Sequence, residues 1–505
     1  MGKRKRNEAQ NGATPPIAIP SKKPRPESEA LARSSKPPMV IDPSSPFHIQ
    51  IVAGSYDRIL HGITATVAPV DADAAGKEKE TRQKASFADT FLFSAHTSAI
   101  RCLAVSPPSK PVPGQAQKVF LASGSTDERI NVYNLSVHPP SRKSQEKQKA
   151  LAVAGLGKAV MQNRKNRELG TLLHHSSTVT ALAFPTRGKL VSSSEDSTVG
   201  ITRTRDWALL SSVKAPVPVP KGRPSGDTAA LGSAPCGVND FAVHPSLKTM
   251  ITVSKGERCM RLWNLVTGKR GGVLNFTKDV LREVGEGRHS SGEGRKVVWG
   301  STEKGEEFAV VFDRDVVVFS MDAVVKCRVL GGVVTKVHAV RYLVLDPETE
   351  RSLLAVSTED GRILFFSTRD EDLAKPEPPA TMSTAKLVAS IGGKDAGVAN
   401  RIKDFTILRR GDAIYIVAGS SDGTIRLWRV AVDEFNNAMT EPDTPANSVG
   451  ELLAVYQTHN RITCLEAFEL IPTPDGVQES EDDDDEDLDE NGLEDDSESD
   501  AEEES

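Results

Sequence analysis

The 505-residue chain is poor in cysteine, in aromatic side chains and in long hydrophobic runs. Its five cysteines are far apart and form no CxxC pair, which argues against a zinc site or a disulfide framework. No apolar run is long enough to cross a bilayer, and the start, MGKRKRNEAQ, lacks the hydrophobic region of a secretory signal. We therefore expect reduced thiols, no membrane partner, and a nuclear or cytosolic location.

The signatures of common catalytic sites are also missing. The sequence has no Walker phosphate loop, no HExxH metal motif and no GxSxG elbow, and its ten histidines form no cluster with metal-ligand spacing. We therefore expect no enzyme activity, no metal and no cofactor, and we nominate no catalytic residue. A binding platform is the favoured functional class.

What the sequence does contain is a repeated turn. Seven times an acidic residue begins a turn that leads into alternating apolar side chains, and successive acids lie 70, 69, 61, 56, 47 and 62 residues apart. Such alternation predicts β-strands, and AIYIVAGSSDGTIRLW predicts a complete hairpin. The acids are Asp57, Asp127, Asp196, Glu257, Asp313, Asp360 and Asp422. Seven units of this kind predict an all-β, seven-bladed propeller with insertions between its strands.

Three units also carry a histidine shortly before an apolar run: AIRCLAV follows His96, TVTALAF follows His175 and RITCLEAF follows His459. Together with the turn acid, this pattern resembles WD repeats. In that family a histidine, a strand serine or threonine, the turn aspartate and a strand-end aromatic form a hydrogen-bonded tetrad. The resemblance places one tetrad at His96, Ser123, Asp127 and Tyr133. Positions that match in part are Asp196, Trp263, Asp360, Asp422, Trp428 and His459. We expect all of these side chains to hold the fold together rather than to perform chemistry.

The two ends of the repeat region complement each other. FHIQIVAGSYD begins with a second-strand pattern, whereas ELLAVYQTHNRITCLEAF ends with a fourth strand followed by a first strand. We therefore predict that residues 461–468 join the strands of residues 47–67 in one blade and close the ring. Closure removes the open sheet edges that promote aggregation. The WD-repeat propeller is expected to span residues 47–470.

The segments outside the repeats have opposite charge. Residues 1–46 are rich in proline, serine and basic residues, and residues 471–505 are acidic; we expect both to be disordered. Residues 479–505 hold 18 acidic and no basic side chains, so residues 1–478 carry 63 basic against 51 acidic side chains, a net charge of +12. Two basic clusters in the arm resemble a bipartite nuclear-import signal. Their residues are Lys3, Arg4, Lys5, Arg6, Lys22, Lys23 and Arg25. A solvated charged tail, or an arm that binds RNA phosphates, is the alternative interpretation.

The long segment 136–167 contains RKSQEKQK and NRKNR, the densest basic stretch between the repeats. Arg164, Lys165 and Arg167 are candidate contacts to RNA or to a protein partner. The segment has no aromatic side chain on which a base could stack, so any attraction to RNA would be mainly electrostatic.

The third and fourth units give a narrower resemblance. Asp206-Trp207, VNDFAVHPS from Val238 and LWNLVTGK from Leu262 are similar to the Mak-type WD-repeat family. That family includes fungal maintenance-of-killer proteins, which are factors for making the large ribosomal subunit. It also includes animal relatives that bind and inhibit PAK-family kinases.

The resemblance implies a nucleolar, non-catalytic assembly factor that docks on early large-subunit (60S) precursors. Its implied partners are precursor-particle proteins and rRNA, and it is expected to be monomeric within that larger assembly. The alternative is an inhibitor of a PAK-type kinase. A ubiquitin-ligase substrate receptor is a third option that ranks lower, because Trp263 and Trp428 are not followed by the expected WDxR pattern.

Overall fold

The structure of the protein is a computed structural model, and it describes residues 46–68, 84–112, 115–140, 163, 165–217, 236–287, 290–331, 335–346, 349–376, 378, 380–440 and 447–472. Residues 1–45 of the basic arm and residues 473–505 of the acidic tail lie outside these residues.

Alternating apolar side chains separated by turns form 29 strands in the described residues. They are β1 (Phe47–Ser55), β2 (Ile59–Val67), β3 (Ala85–Ser94), β4 (Ile100–Val105), β5 (Lys118–Ser125), β6 (Ile130–Ser136), β7 (Arg167–Leu172), β8 (Val179–Thr186), β9 (Lys189–Ser194), β10 (Thr198–Arg203), β11 (Leu209–Lys214), β12 (Val238–Val243), β13 (Thr249–Ser254), β14 (Cys259–Asn264), β15 (Lys269–Asn275), β16 (Lys296–Thr302), β17 (Gly305–Val311), β18 (Val316–Ser320), β19 (Val325–Arg328), β20 (Val337–Asp346), β21 (Arg351–Thr358), β22 (Arg362–Ser367), β23 (Lys386–Gly392), β24 (Ile402–Arg410), β25 (Ala413–Ser420), β26 (Thr424–Ala431), β27 (Asn447–Ser448), β28 (Glu451–Gln457) and β29 (Ile462–Leu470). Helices α1 (Lys278–Glu283) and α2 (Val432–Thr440) and a 3-10 turn (Lys394–Ala396) lie between strands.

These strands form seven sheets. Blade 1 is β29-β1-β2-β3, blade 2 is β4-β5-β6-β7, blade 3 is β8-β9-β10-β11, blade 4 is β12-β13-β14-β15, blade 5 is β16-β17-β18-β19, blade 6 is β20-β21-β22-β23 with β27 added, and blade 7 is β24-β25-β26-β28. The first strand of each blade contacts the first strand of the next, from β29 through β4, β8, β12, β16, β20 and β24 back to β29. The predicted seven-bladed propeller is confirmed.

Ring closure occurs in blade 1, where the last strand of the chain pairs with the first. β29 runs antiparallel to β1, with Ile51 opposite Ala467 and His48 opposite Leu470. Leu465 of β29 is fully buried and packs in one apolar cluster with Ile425 and Leu427 of blade 7. The predicted closure by the C-terminal strand is therefore confirmed.

All seven turn acids lie in the connection between the second and third strands of a blade. The residue after the acid has a positive φ in several blades: 84° at Gly423 and 82° at Gly361, but also 71° at Arg58, 70° at Glu128 and 65° at Ser197. Glycine adopts this conformation without a Cβ clash, whereas the other three side chains are held there by the surrounding hairpin. The first strand of each blade starts beside this turn, as Val337 opposite Thr358 shows for blade 6. We call the end of the ring that carries the seven acids the turn face.

Candidate functional site

The structure brings the four predicted tetrad residues of blade 2 together. His96 Nδ1 lies 3.2 Å from Asp127 Oδ2, and His96 Nε2 lies 2.8 Å from Ser123 Oγ. Tyr133, at the far end of the hydrogen-bonded chain, also bonds the Ser123 side chain, and burial raises the pKa of its hydroxyl to about 12. Burial lowers the pKa of His96 although Asp127 acts in the opposite direction. The four side chains use their polar atoms in hydrogen bonds with one another, as expected of residues with a structural role.

Blade 3 repeats three members of this arrangement. His175 Nδ1 lies 3.1 Å from Asp196 Oδ2, and His175 Nε2 lies 2.8 Å from Ser192 Oγ. Burial opposes ionisation of Asp196, but hydrogen bonds from His175, from the Thr198 side chain and from backbone N–H groups outweigh it and hold its pKa well below the usual range. Thr202 takes the place of the strand-end aromatic, and its buried hydroxyl has no partner in the described residues.

The blades without a histidine use other bonds. Trp263 Nε1 donates to Thr252 Oγ1 at 2.9 Å, and Trp428 is 3% exposed. Asp422 accepts from the Thr424 N–H at 3.0 Å. Asp360 accepts from the hydroxyl of Thr358.

The structure does not place His459 beside a turn acid. Its side chain is exposed and its φ is 60°. His96 and His175 each stand four residues before a buried strand residue, and in blade 1 that place belongs to Thr458, four residues before Ile462. Asp57 Oδ2 instead accepts from the Arg461 N–H at 3.2 Å. In blade 1 the residue at the histidine position of the pattern is therefore Thr458, one residue before His459.

Two of the three candidate contact residues in segment 136–167 are described. Lys165 and Arg167 are both exposed, and Arg164 lies outside the described residues. Arg167 lines a cavity of about 360 Å³ between blades 1 and 2, together with Phe91, Phe93 and Tyr133. Phe93 is 38% exposed and its ring centre lies 5.7 Å from that of Tyr133. Sequence reasoning missed these aromatic neighbours because Phe91 and Phe93 come from the preceding blade.

The import candidates Lys3, Arg4, Lys5, Arg6, Lys22, Lys23 and Arg25 all lie outside the described residues. Within the described ranges, no group of three His, Cys, Asp or Glu side chains is arranged to hold a metal ion. None of the helices found there is long and apolar enough to cross a membrane. The five cysteines are free thiols, and Cys259, Cys327 and Cys464 are buried.

The closed ring of seven four-stranded units, with its turn acids and two histidine-centred networks, defines the class: this is a seven-bladed WD-repeat propeller. The family described as "WD domain, G-beta repeat" matches residues 88–134, 166–201 and 410–429. The matches include the turn acids of blades 2, 3 and 7, which are Asp127, Asp196 and Asp422.

Its homologues include two kinds of protein. Protein MAK11 of Saccharomyces cerevisiae is 26% identical over 438 residues, which are 82% of this chain and 82% of that protein. The p21-activated protein kinase-interacting protein 1-like of Gallus gallus is 24% identical over 426 residues, 83% of this chain and 79% of its own. The protein of the same name in Danio rerio is 23% identical over 420 residues, covering 83% and 80%.

Proposed function

We propose that this protein is a non-catalytic assembly factor for the large ribosomal subunit, a rigid ring that docks on early precursor particles. The observation that carries the proposal is the similarity to Protein MAK11, which spans 82% of both chains. The Mak-type resemblance at Asp206-Trp207 and Val238 points the same way. A relationship of this extent concerns the platform rather than one short motif.

The geometry favours binding over chemistry. The histidine and aspartate side chains that resemble catalytic pairs, such as His96 with Asp127 and His175 with Asp196, are buried in structural hydrogen bonds. The ring offers a broad, rigid surface on which several partners fit. Its net positive body suits an environment of RNA, and the two basic clusters of the arm support entry into the nucleus and residence in the nucleolus.

Depletion of the protein tests this proposal. Loss of an early large-subunit factor should lower free large subunits relative to small subunits and raise large-subunit precursor RNA. Re-expression of the intact chain should restore the ratio. An unchanged subunit ratio after depletion has been verified would contradict the proposal.

A second candidate function rests on the names of the vertebrate homologues, which describe interaction with a p21-activated protein kinase. In that role the ring would cover a regulatory segment of the kinase and block its activation. Titration of the purified chain against a purified p21-activated kinase distinguishes the two. Saturable binding with inhibition supports the regulator, and its absence at micromolar concentration removes it.

A further inference from the structure

The first strands of six blades share one irregularity at the turn face. In each of these strands the second residue is the extra residue of a β-bulge, so it is left out of the backbone pairing. The six residues are Arg101, Thr180, Asn239, His338, Lys403 and Thr463. A bulge changes the direction of a side chain, and bulges recur where function requires it. The first strand of blade 5 has no such bulge, and it starts at Lys296.

Three of the six bulge residues fasten one blade to the next. Thr463 Oγ1 donates to the Ile100 carbonyl at 2.6 Å and Thr180 Oγ1 to the Val238 carbonyl at 2.7 Å. Asn239 Nδ2 donates to the Gly294 carbonyl at 2.9 Å. Each acceptor belongs to the next blade around the ring. A small polar side chain at this position therefore has a clear structural purpose.

His338 of blade 6 and Lys403 of blade 7 are bulge residues outside this group of three. They are adjacent to each other instead, with Lys403 Nζ 3.5 Å from His338 Nδ1. The ammonium donates in this contact, so the histidine proton is on Nε2, and Nε2 is buried with no hydrogen-bond partner in the described residues. A buried donor without an acceptor costs stability, and it favours a ligand that brings oxygen atoms.

Further basic side chains surround this pair. Burial and the nearby Arg401, Arg461 and Lys336 lower the pKa of Lys403 to about 8, although Glu359 acts in the opposite direction. Burial and Lys403, Arg401, Lys336 and Lys296 lower the pKa of His338 to about 3. The cations thus form an arc across four successive blades, from Lys296 in blade 5 to Arg461 in blade 1.

Acidic side chains balance only part of this charge. Lys336 Nζ lies 3.0 Å from Asp313 Oδ1, but Arg295 shares the same oxygen at 2.8 Å. Arg401 lies 3.5 Å from Glu359. In the described part of the chain, Lys403 makes no ion pair with a carboxylate. A cluster of cations whose charge the neighbouring carboxylates balance only in part favours the binding of an anion.

An aromatic side chain stands at the end of the arc. Tyr56 is 58% exposed, and the Arg461 guanidinium lies over its ring at 5.3 Å from the centre. Cations in a row beside an exposed aromatic ring are the combination that binds single-stranded nucleic acid, because phosphates pair with the cations and a base stacks on the ring. An acidic peptide would use the cations but not the ring.

We propose that the arc formed by Lys296, Lys336, His338, Arg401, Lys403, Arg461 and Tyr56, at the turn-face mouth of the central channel, binds the phosphate backbone of single-stranded RNA. The ring of Tyr56 takes an adjoining base. This site is distinct from the basic segment 136–167, and the binding it predicts holds whether or not the protein acts on ribosomal precursors.

Binding of a labelled oligouridylate to the full-length chain, measured by fluorescence anisotropy over a range of salt concentrations, tests the proposal. Lys403→Gln and Arg401→Gln should each weaken binding severalfold at low salt and reduce the slope of log affinity against log salt by about 0.7, the value for one contact to single-stranded RNA. Lys304→Gln is the matched control, because Lys304 lies in the turn between β16 and β17, at the opposite end of the ring from the turn face. It should leave the slope unchanged.

The pH dependence gives a second readout. Because a bound phosphate stabilises the charged ammonium, the affinity of the parent should fall as the pH rises from 7 to 9, and Lys403→Gln should flatten this dependence. Lys403→Gln removes a cation that its neighbours repel, so it should not lower the urea midpoint of the protein. An unchanged midpoint separates a binding defect from unfolding. Parent-like binding by both variants would overturn the proposal. Tighter binding of a polyglutamate peptide of equal charge would overturn it in favour of an acidic protein partner.

Discussion

Replacement of Leu465 by alanine should weaken the closure of the ring. Leu465 lies on β29 and is fully buried in a cluster that joins blade 1 to blade 7, with Val417, Ile425 and Leu427 among its members. Its Cδ1 also packs beside Gly419: a Cβ added to Gly419 would lie 3.2 Å from Leu465 Cδ1. Removing three carbon atoms from such a site loses their transfer free energy and leaves a cavity, so the free energy of unfolding should fall by about 3 kcal/mol, within the usual range of about 2–5.

Urea unfolding followed by both tryptophan fluorescence and far-ultraviolet circular dichroism measures this loss. The matched control is Leu452→Ala on β28, because Leu452 is 40% exposed and its truncation should cost well under 1 kcal/mol. The backbone N–H of Leu465 keeps its 3.0 Å bond to Asp404 in the variant, so the difference reports on packing. A cost for Leu465→Ala below about 1 kcal/mol would refute the conclusion that β29 is an integral strand of the closed ring.

Three further predictions concern stability and thiol reactivity. Asp196→Asn should lower the urea midpoint at pH 7. The difference in midpoint between variant and parent should become smaller as the pH falls below 3.8, because a carboxylate with a depressed pKa contributes stability that protonation removes. A difference in midpoint that stays constant with pH would contradict this. Gly423→Ala should cost more than Gly411→Ala in the same assay, since both have positive φ but only at Gly423 would a Cβ lie 2.7 Å from a backbone oxygen, that of Asn460; equal costs would argue against the close approach. The thiol of Cys464, whose pKa burial raises, should resist alkylation by iodoacetamide until the chain unfolds, and rapid labelling of that thiol in the native protein would contradict its burial.

Much of the propeller was predictable because its information is local. Each hairpin combines a period of two with a turn acid, so the residues around Asp127 and Asp422 specify their strands without reference to the rest of the chain. Ring closure was also predictable, because an unpaired first strand at one end of the repeats complements a blade without a first strand at the other. β27 was not predicted: its two residues pair in parallel with β23 of blade 6, a contact that depends on tertiary placement.

The candidate sites were less accessible to sequence reasoning. His459 is not the tetrad residue of blade 1, because the spacing of four residues to the buried strand residue places Thr458 in that position. The arc around Lys403 gave no sequence signal, since its members are spread from Tyr56 to Arg461 and closure of the ring brings them together; the bulges of the first strands place only His338 and Lys403. A charge cluster assembled from four blades is a property of the ring and of no single segment.

We propose that this ring travels with precursors of the large ribosomal subunit. Gradient sedimentation of the tagged full-length chain from gently lysed cells, with RNA and proteins identified in each fraction, tests it most directly. We expect comigration with large-subunit precursor RNA, and loss of that comigration after RNase treatment. Recovery only in light fractions, with a kinase and without precursor RNA, would contradict it.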